Sequence, residues 1–165
     1  MKGGVRPLGR VIGTAALAAA AGCGSTGVSD TGLVGTWVRE SRAGGRSIIR
    51  IQKEDESYRF FVDRYAPDGA HVLRCPQEGA CALYDGDAPT YEMAFRAFSR
   101  PGSEALFVAC RGRPLSGGGT PIQYVSEITA ESGGVELTVR RIELNGSPHR
   151  EGERRYRKES DGTRR

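Results

Sequence analysis

Two histidines, one tryptophan, two methionines and four cysteines are spread over 165 residues, and each scarcity excludes a class of chemistry. His71 and His149 stand alone, and no cysteines are paired at zinc-ligand spacing, so the usual structural zinc sites are absent. There is no Gly-x-Ser-x-Gly elbow, no His-Glu-x-x-His and no glycine-rich loop ahead of a helix, which removes the common hydrolase, metalloprotease and nucleotide-binding templates. Asp85-Gly86-Asp87 supplies two carboxylates without the other ligands of a calcium loop. The expectation is a protein that is not an enzyme and takes no cofactor or metal. No apolar run reaches the roughly 20 residues of a membrane-spanning helix. No segment holds a 3.6-residue period over three turns, which with 24 glycines argues against a helical bundle. The length suits one domain and excludes an enzyme with separate cofactor and substrate domains.

What is present begins with an address. Residues 1–10 carry Lys2, Arg6 and Arg10 with no acid, and residues 11–21 are apolar and rich in alanine. A positive segment followed by a short apolar one has the form of a secretory signal peptide. It ends in Ala20-Ala21-Gly22-Cys23, which resembles the lipobox of bacterial lipoproteins, with Ala20 where leucine is commonest. The resemblance implies cleavage after Gly22 and a lipid on Cys23, hence export and membrane attachment. In a Gram-negative cell, Gly24 after the cysteine implies the outer membrane, facing the periplasm. The alternative is an ordinary signal peptide cut after an Ala-x-Ala triplet, with Cys23 a structural thiol. Residues 1–22 thus read as signal peptide, 23–33 as a flexible tether, 34–160 as one domain and 161–165 as a disordered tail.

Position also explains the charge. The formal +4 includes Lys2, Arg6 and Arg10, so the chain from residue 23 onward has 21 basic against 20 acidic residues, and no nucleic-acid partner is expected. The cluster Arg150, Arg154, Arg155, Arg157, Lys158, Arg164 and Arg165 is interleaved with Glu151, Glu153, Glu159 and Asp161. Mixed signs of this kind read as a solvated edge strand and tail.

From Leu33 onward, runs of Val, Ile, Tyr, Phe and Thr alternate with Gly, Asp, Asn, Pro and Ser every 10–15 residues. Tyr91, Met93, Phe95 and Ala97 oppose Glu92, Ala94 and Arg96, the two-residue period of a half-buried strand. Val135, Leu137 and Val139 are followed out of phase by Ile142 and Leu144, which places a bulge near Arg140-Arg141. Nine strands are expected, near 34–40, 46–53, 57–65, 69–75, 89–98, 104–111, 121–130, 134–144 and 152–158. Asp68-Gly69, Asp85-Gly86 and Asn145-Gly146 suit hairpin turns between antiparallel neighbours. The fold class is all-β: an antiparallel up-and-down meander of 8–9 strands closing as a β-barrel, with a β-sandwich as the alternative. Charged residues in mid-strand on the second face interrupt the apolar band a membrane-spanning barrel requires.

The first strand contains Leu33-Val34-Gly35-Thr36-Trp37, whose Gly-x-Trp segment resembles the opening of lipocalin and lipocalin-like barrels. The resemblance implies that Trp37 closes the barrel bottom and that a basic residue of the last strand covers its ring. Arg155 and Arg157 are assigned that part. Which of them points inward does not follow from alternation, because Arg154, Arg155 and Arg157 sample both faces. The inward set includes Tyr58, Phe60, Tyr91, Met93, Phe95 and Tyr124 as the candidate ligand-cavity lining. Cys75 and Cys81, around a five-residue loop with Pro and Gly, are the expected disulfide, with a bridge from Cys110 to either as the alternative.

Two functions follow. One is a lipid-anchored envelope lipoprotein whose lipocalin-like barrel binds a small apolar ligand. The other is a filled-core protein-interaction module, an envelope scaffold or an inhibitor of an external hydrolase, using loops 40–46, 76–88 and 112–120. An interior cavity of about 300 Å³ or more would favour the first, and a packed interior the second.

Overall fold

The computed structural model describes residues 30–131, 133–150 and 152–160. The expected signal peptide, Cys23, tether residues 23–29 and the tail 161–165 lie outside the described residues. The last stretch of the expected tether, Asp30–Leu33, is a helical turn, α1, and not an extended linker. Its Leu33 side chain belongs to the core, and that burial holds the turn against the barrel.

Among the described residues eleven strands follow: β1 (Gly35–Glu40), β2 (Arg46–Glu54), β3 (Ser57–Tyr65), β4 (His71–Arg74), β5 (Cys81–Asp85), β6 (Ala88–Ser99), β7 (Leu106–Pro114), β8 (Ile122–Ala130), β9 (Glu136–Leu144), β10 (Ser147–Pro148) and β11 (Arg154–Lys158). β1 to β9 pair in chain order, β9 also pairs with β11, and β11 returns to β1. All neighbours are antiparallel, and ten strands close an up-and-down barrel while β10 is a two-residue flange on β9. Closure leaves no second sheet, so the sandwich alternative is excluded.

The alternation decides which side chains fill the barrel. Trp37 stands opposite Ile49, Ile49 opposite Val62, and Ile51 opposite Phe60, so one face of β1, β2 and β3 is continuous with the core. Met93, Leu106, Val108, Cys110, Ile128, Leu137 and Tyr156 complete it from the far wall. Each such side chain contributes about 1.5–3 kcal/mol by leaving water. The bulge expected in β9 is present: Ser126 pairs with Arg141 and Val125 with Glu143, so Ile142 is the inserted residue. At the next turn Asn145 and Gly146 take the left-handed backbone conformation, φ 51° and 78°.

Two strands were not expected. β5 is only five residues long and sits between the 76–80 loop and the Asp85-Gly86 turn, too short for alternation to declare itself. β10 is shorter still.

The expected disulfide joins Cys75, the residue after β4, to Cys81 at the start of β5, Cα atoms 4.2 Å apart, while Cys110 is a buried free thiol. Removing a bridge around a loop this short is expected to cost about 2 kcal/mol. Urea unfolding of the Cys75→Ser/Cys81→Ser pair checks this through a lower midpoint at similar slope; an unchanged midpoint would show that the bridge adds nothing to stability.

Candidate functional site

The barrel bottom is built around Trp37, which is fully buried. Its indole Nε1–H donates to the Leu33 carbonyl at 3.0 Å, so the ring both plugs the barrel and ties α1 across it. Lys158 covers the ring, with Nζ 5.3 Å from its centroid. Gly35 makes room for that lysine: its φ is 143°, and a Cβ there would lie 2.8 Å from Lys158 Cε.

The residue over the tryptophan is therefore Lys158, and the assignment to Arg155 or Arg157 is corrected. Both arginines are exposed on the outer wall. Arg155 lies 3.4 Å from Glu136 Oε1 and 3.9 Å from Glu153 Oε2. The signal for the register is Tyr156, a core residue between the two arginines: its burial sets 154, 156 and 158 on the face that Trp37 shares, with Lys158 exposed at the barrel end, and 155 and 157 on the other. Lys158→Ala is expected to cost about 0.5–1 kcal/mol. Arg155→Ala and Arg157→Ala should each stay within about 0.5 kcal/mol in the same urea titration. Equal losses at all three positions would remove the special role of Lys158.

The barrel interior holds a cavity of about 40 Å³, bounded by Phe60, Val62, Phe95, Val108, Tyr124 and Tyr156 among others. Of the six residues expected to line a ligand cavity, Phe60, Phe95 and Tyr124 do so and Tyr58, Tyr91 and Met93 do not. Tyr58 packs against the core. Tyr91 sends its hydroxyl to the Thr120 carbonyl at 3.2 Å, fastening the rim loop. Met93 is buried against Gly112, where a Cβ would meet its sulfur at 2.7 Å. Arg64, Arg141 and Arg154 also line the cavity. Alternation does not reveal these three, because it marks a face without saying whether a polar side chain on it is admitted. The Arg141 guanidinium lies 4.4 Å from the Tyr124 ring centroid.

Burial pushes the Cys110 thiol pKa up, opposed by a hydrogen bond with Tyr124 and by Arg141 and Arg64. Burial first, and then Cys110, raise the Tyr124 hydroxyl likewise. Both groups are neutral at physiological pH, and a neutral buried thiol is a poor nucleophile. Among the described residues no cluster of three or more His, Cys, Asp or Glu is placed to hold a metal ion.

On the outer wall, the disulfide hairpin is pinned by a cluster that the sequence pattern did not reveal. Asp63, 7% exposed, accepts from Arg50 Nη2 at 2.8 Å and from the Cys75 N–H at 2.9 Å, and Arg50 reaches the Cys75 carbonyl at 3.0 Å. Phe61 lies between Arg50 and Arg59, whose guanidinium carbons are 5.6 and 5.2 Å from its centroid. These contacts lay the start of the 76–80 loop against β3, and Arg59 also donates to the Gln77 carbonyl at 3.3 Å.

Beside that loop the wall is incomplete. β3 pairs with β4 only at Arg64 and Tyr65, and β5 pairs with β6 only as far as Met93. Residues 57–63 of β3 and 94–99 of β6 thus face each other with no strand between them. The Phe60 and Phe95 rings, centroids 5.7 Å apart, close the slot toward the interior. Outside it is a groove of about 820 Å³ between β3, the 76–80 loop and β6.

No protein-family model, no curated protein and no solved structure matches this chain. The lipobox and Gly-x-Trp resemblances are accordingly carried by their own residues alone.

Proposed function

We propose that this is an exported, lipid-anchored envelope protein whose barrel works through its outer surface as a protein-interaction module. The observation that carries the reading is the interior cavity of about 40 Å³. A site for one water takes about 10–15 Å³ on this measure, whereas pockets for small organic ligands run to about 300–1,000 Å³. The side chains have taken the space a lipocalin-like ligand would need. Loops that stand on a rigid, filled scaffold are where contact surfaces are normally found.

Export and anchoring are supported by the signal-like residues 1–22 and by Ala20-Ala21-Gly22-Cys23. The Cys75–Cys81 disulfide adds support, because such bridges persist in oxidising compartments outside the cytosol. In a Gram-negative cell this reading puts the barrel on the periplasmic side of the outer membrane.

Titration of the purified protein with cis-parinaric acid, a fluorescent fatty acid, tests the filled interior. No saturable binding in the micromolar range is expected. Saturable binding that Val108→Trp weakens would return the barrel to the carriers of small apolar ligands.

A further inference from the structure

The end of the barrel opposite Trp37 is lined from within by arginines. β1 leaves the closed end at Gly35, and antiparallel pairing carries β3 and β9 toward the far end while β8 and β11 start from it. Arg64 is the last residue but one of β3, Arg154 the first of β11, and Arg141 lies in the second half of β9. They stand two residues from Val62, Tyr156 and Val139 of the core, so strand alternation turns all three inward.

All three border the interior cavity of about 40 Å³ together with the polar Tyr124 and Ser126, and among the described residues that border it there is no Asp or Glu. Positive charge gathered between low-dielectric walls focuses an attractive field for an anion. The charged side chains that act on the Tyr124 hydroxyl and the Cys110 thiol are Arg64 and Arg141, both positive. Arg141 and Arg154 hold other contacts as well, but a guanidinium carries five N–H donors and can serve a second acceptor. Each of the three is half-buried, so solvent reaches the site from the rim.

Size limits what the site can take. A cavity of about 40 Å³ has room for about three waters, which matches the three heavy atoms of a carboxylate, whereas a phosphate brings five. Guanidinium groups grip a carboxylate through short, charge-assisted N–H···O bonds. Ile49, Phe95 and Val108 line the same space and suit the methylene groups behind such a carboxylate.

We propose that the far end of the barrel receives an aspartate or glutamate side chain of a partner protein, its carboxylate held among Arg64, Arg141 and Arg154. This rests on the interaction-module reading and names the group the partner presents. The sign of the site selects an anion, and its size selects a carboxylate over a phosphate.

The test uses the mature full-length chain with its disulfide intact, labelled with nitrogen-15 so that the arginine Nε–H signals report on each guanidinium. The probe is the capped peptide acetyl-Gly-Ser-Glu-Ser-Gly-amide, whose one carboxylate is a side chain, beside its glutamine counterpart and sodium acetate, all at constant ionic strength. Saturable shifts of the Arg64, Arg141 and Arg154 signals are expected with the glutamate peptide in the millimolar range, and none with the glutamine peptide. Arg64→Gln and Arg154→Gln should each weaken binding by about tenfold or more, the effect of losing a charged hydrogen-bond donor. Arg111→Gln, exposed on β7 outside the cavity, should leave it unchanged. Urea midpoints establish that the variants are folded. No shift with the glutamate peptide, equal shifts with the glutamine peptide, or unchanged binding in Arg64→Gln and Arg154→Gln would each overturn the inference. So would binding of acetate without the peptide, which would make this a site for a free anion. Glu151 precedes the lining residue Gly152 and lies outside the described residues. Binding by Glu151→Gln where the native chain binds nothing would mean that the chain's own acid fills the site, and would also overturn the inference. A protein partner in the native envelope that stays bound to Arg64→Gln and Arg154→Gln would leave the module reading standing and remove this one. A small apolar molecule found in the barrel would instead remove the module reading.

Discussion

Replacing Trp37 with alanine is expected to destabilise the barrel by about 3–5 kcal/mol, the largest loss from any single substitution considered for this chain. Three consequences act together. The indole is the largest fully buried side chain, so its removal leaves a void at the closed end that β1 and β2 cannot collapse into without breaking their ladder. The Leu33 carbonyl loses its 3.0 Å donor, which releases α1 from the barrel bottom. Lys158 loses the ring it covers. Since a domain is stable by only about 5–15 kcal/mol, much of the protein would be expected to open at physiological temperature. Urea unfolding measures the effect, and Trp37→Phe, which keeps an aromatic plug but lacks the N–H, should fall between the two. A loss under about 1 kcal/mol for Trp37→Ala would mean that the closed end does not hold the barrel together.

The second large effect is at the other end of the proposal. Cys23→Ser should move the protein from the membrane fraction to the soluble fraction almost completely, because stable anchoring takes more than one acyl chain and each buried methylene contributes about 0.8 kcal/mol. Cys110→Ser is the matching control, since that thiol is buried in the barrel and should leave fractionation unchanged. Unchanged fractionation of Cys23→Ser, together with no acyl mass on the peptide that begins at residue 23, would sink the anchoring proposal.

Strand alternation made the barrel legible because each long strand buries one face. Tyr91, Met93, Phe95 and Ala97 on β6 show the pattern clearly, and the β9 bulge was readable because the apolar phase changes at Ile142. β5 was not readable, since Cys81–Asp85 is too short to display a period against its flanking turns. At the closed end Trp37 is legible as the one tryptophan, but the cation above it is not, because Arg154, Arg155 and Arg157 sample both faces and only the burial of Tyr156 fixes the face that Lys158 shares. The filling of the interior is a question of summed volume, which a pattern of faces does not contain. The slot lies further still from the sequence, because it exists only through the mismatch between long β3 and β6 and the short hairpin between them.

The most direct measurement is native mass spectrometry of the protein released gently from its own cell envelope. A lipid-anchored, filled-core interaction module predicts a mature chain beginning at an acylated Cys23, carrying no small-molecule adduct and accompanied by a protein partner. A one-to-one complex with a small apolar molecule, and no protein partner, would contradict it.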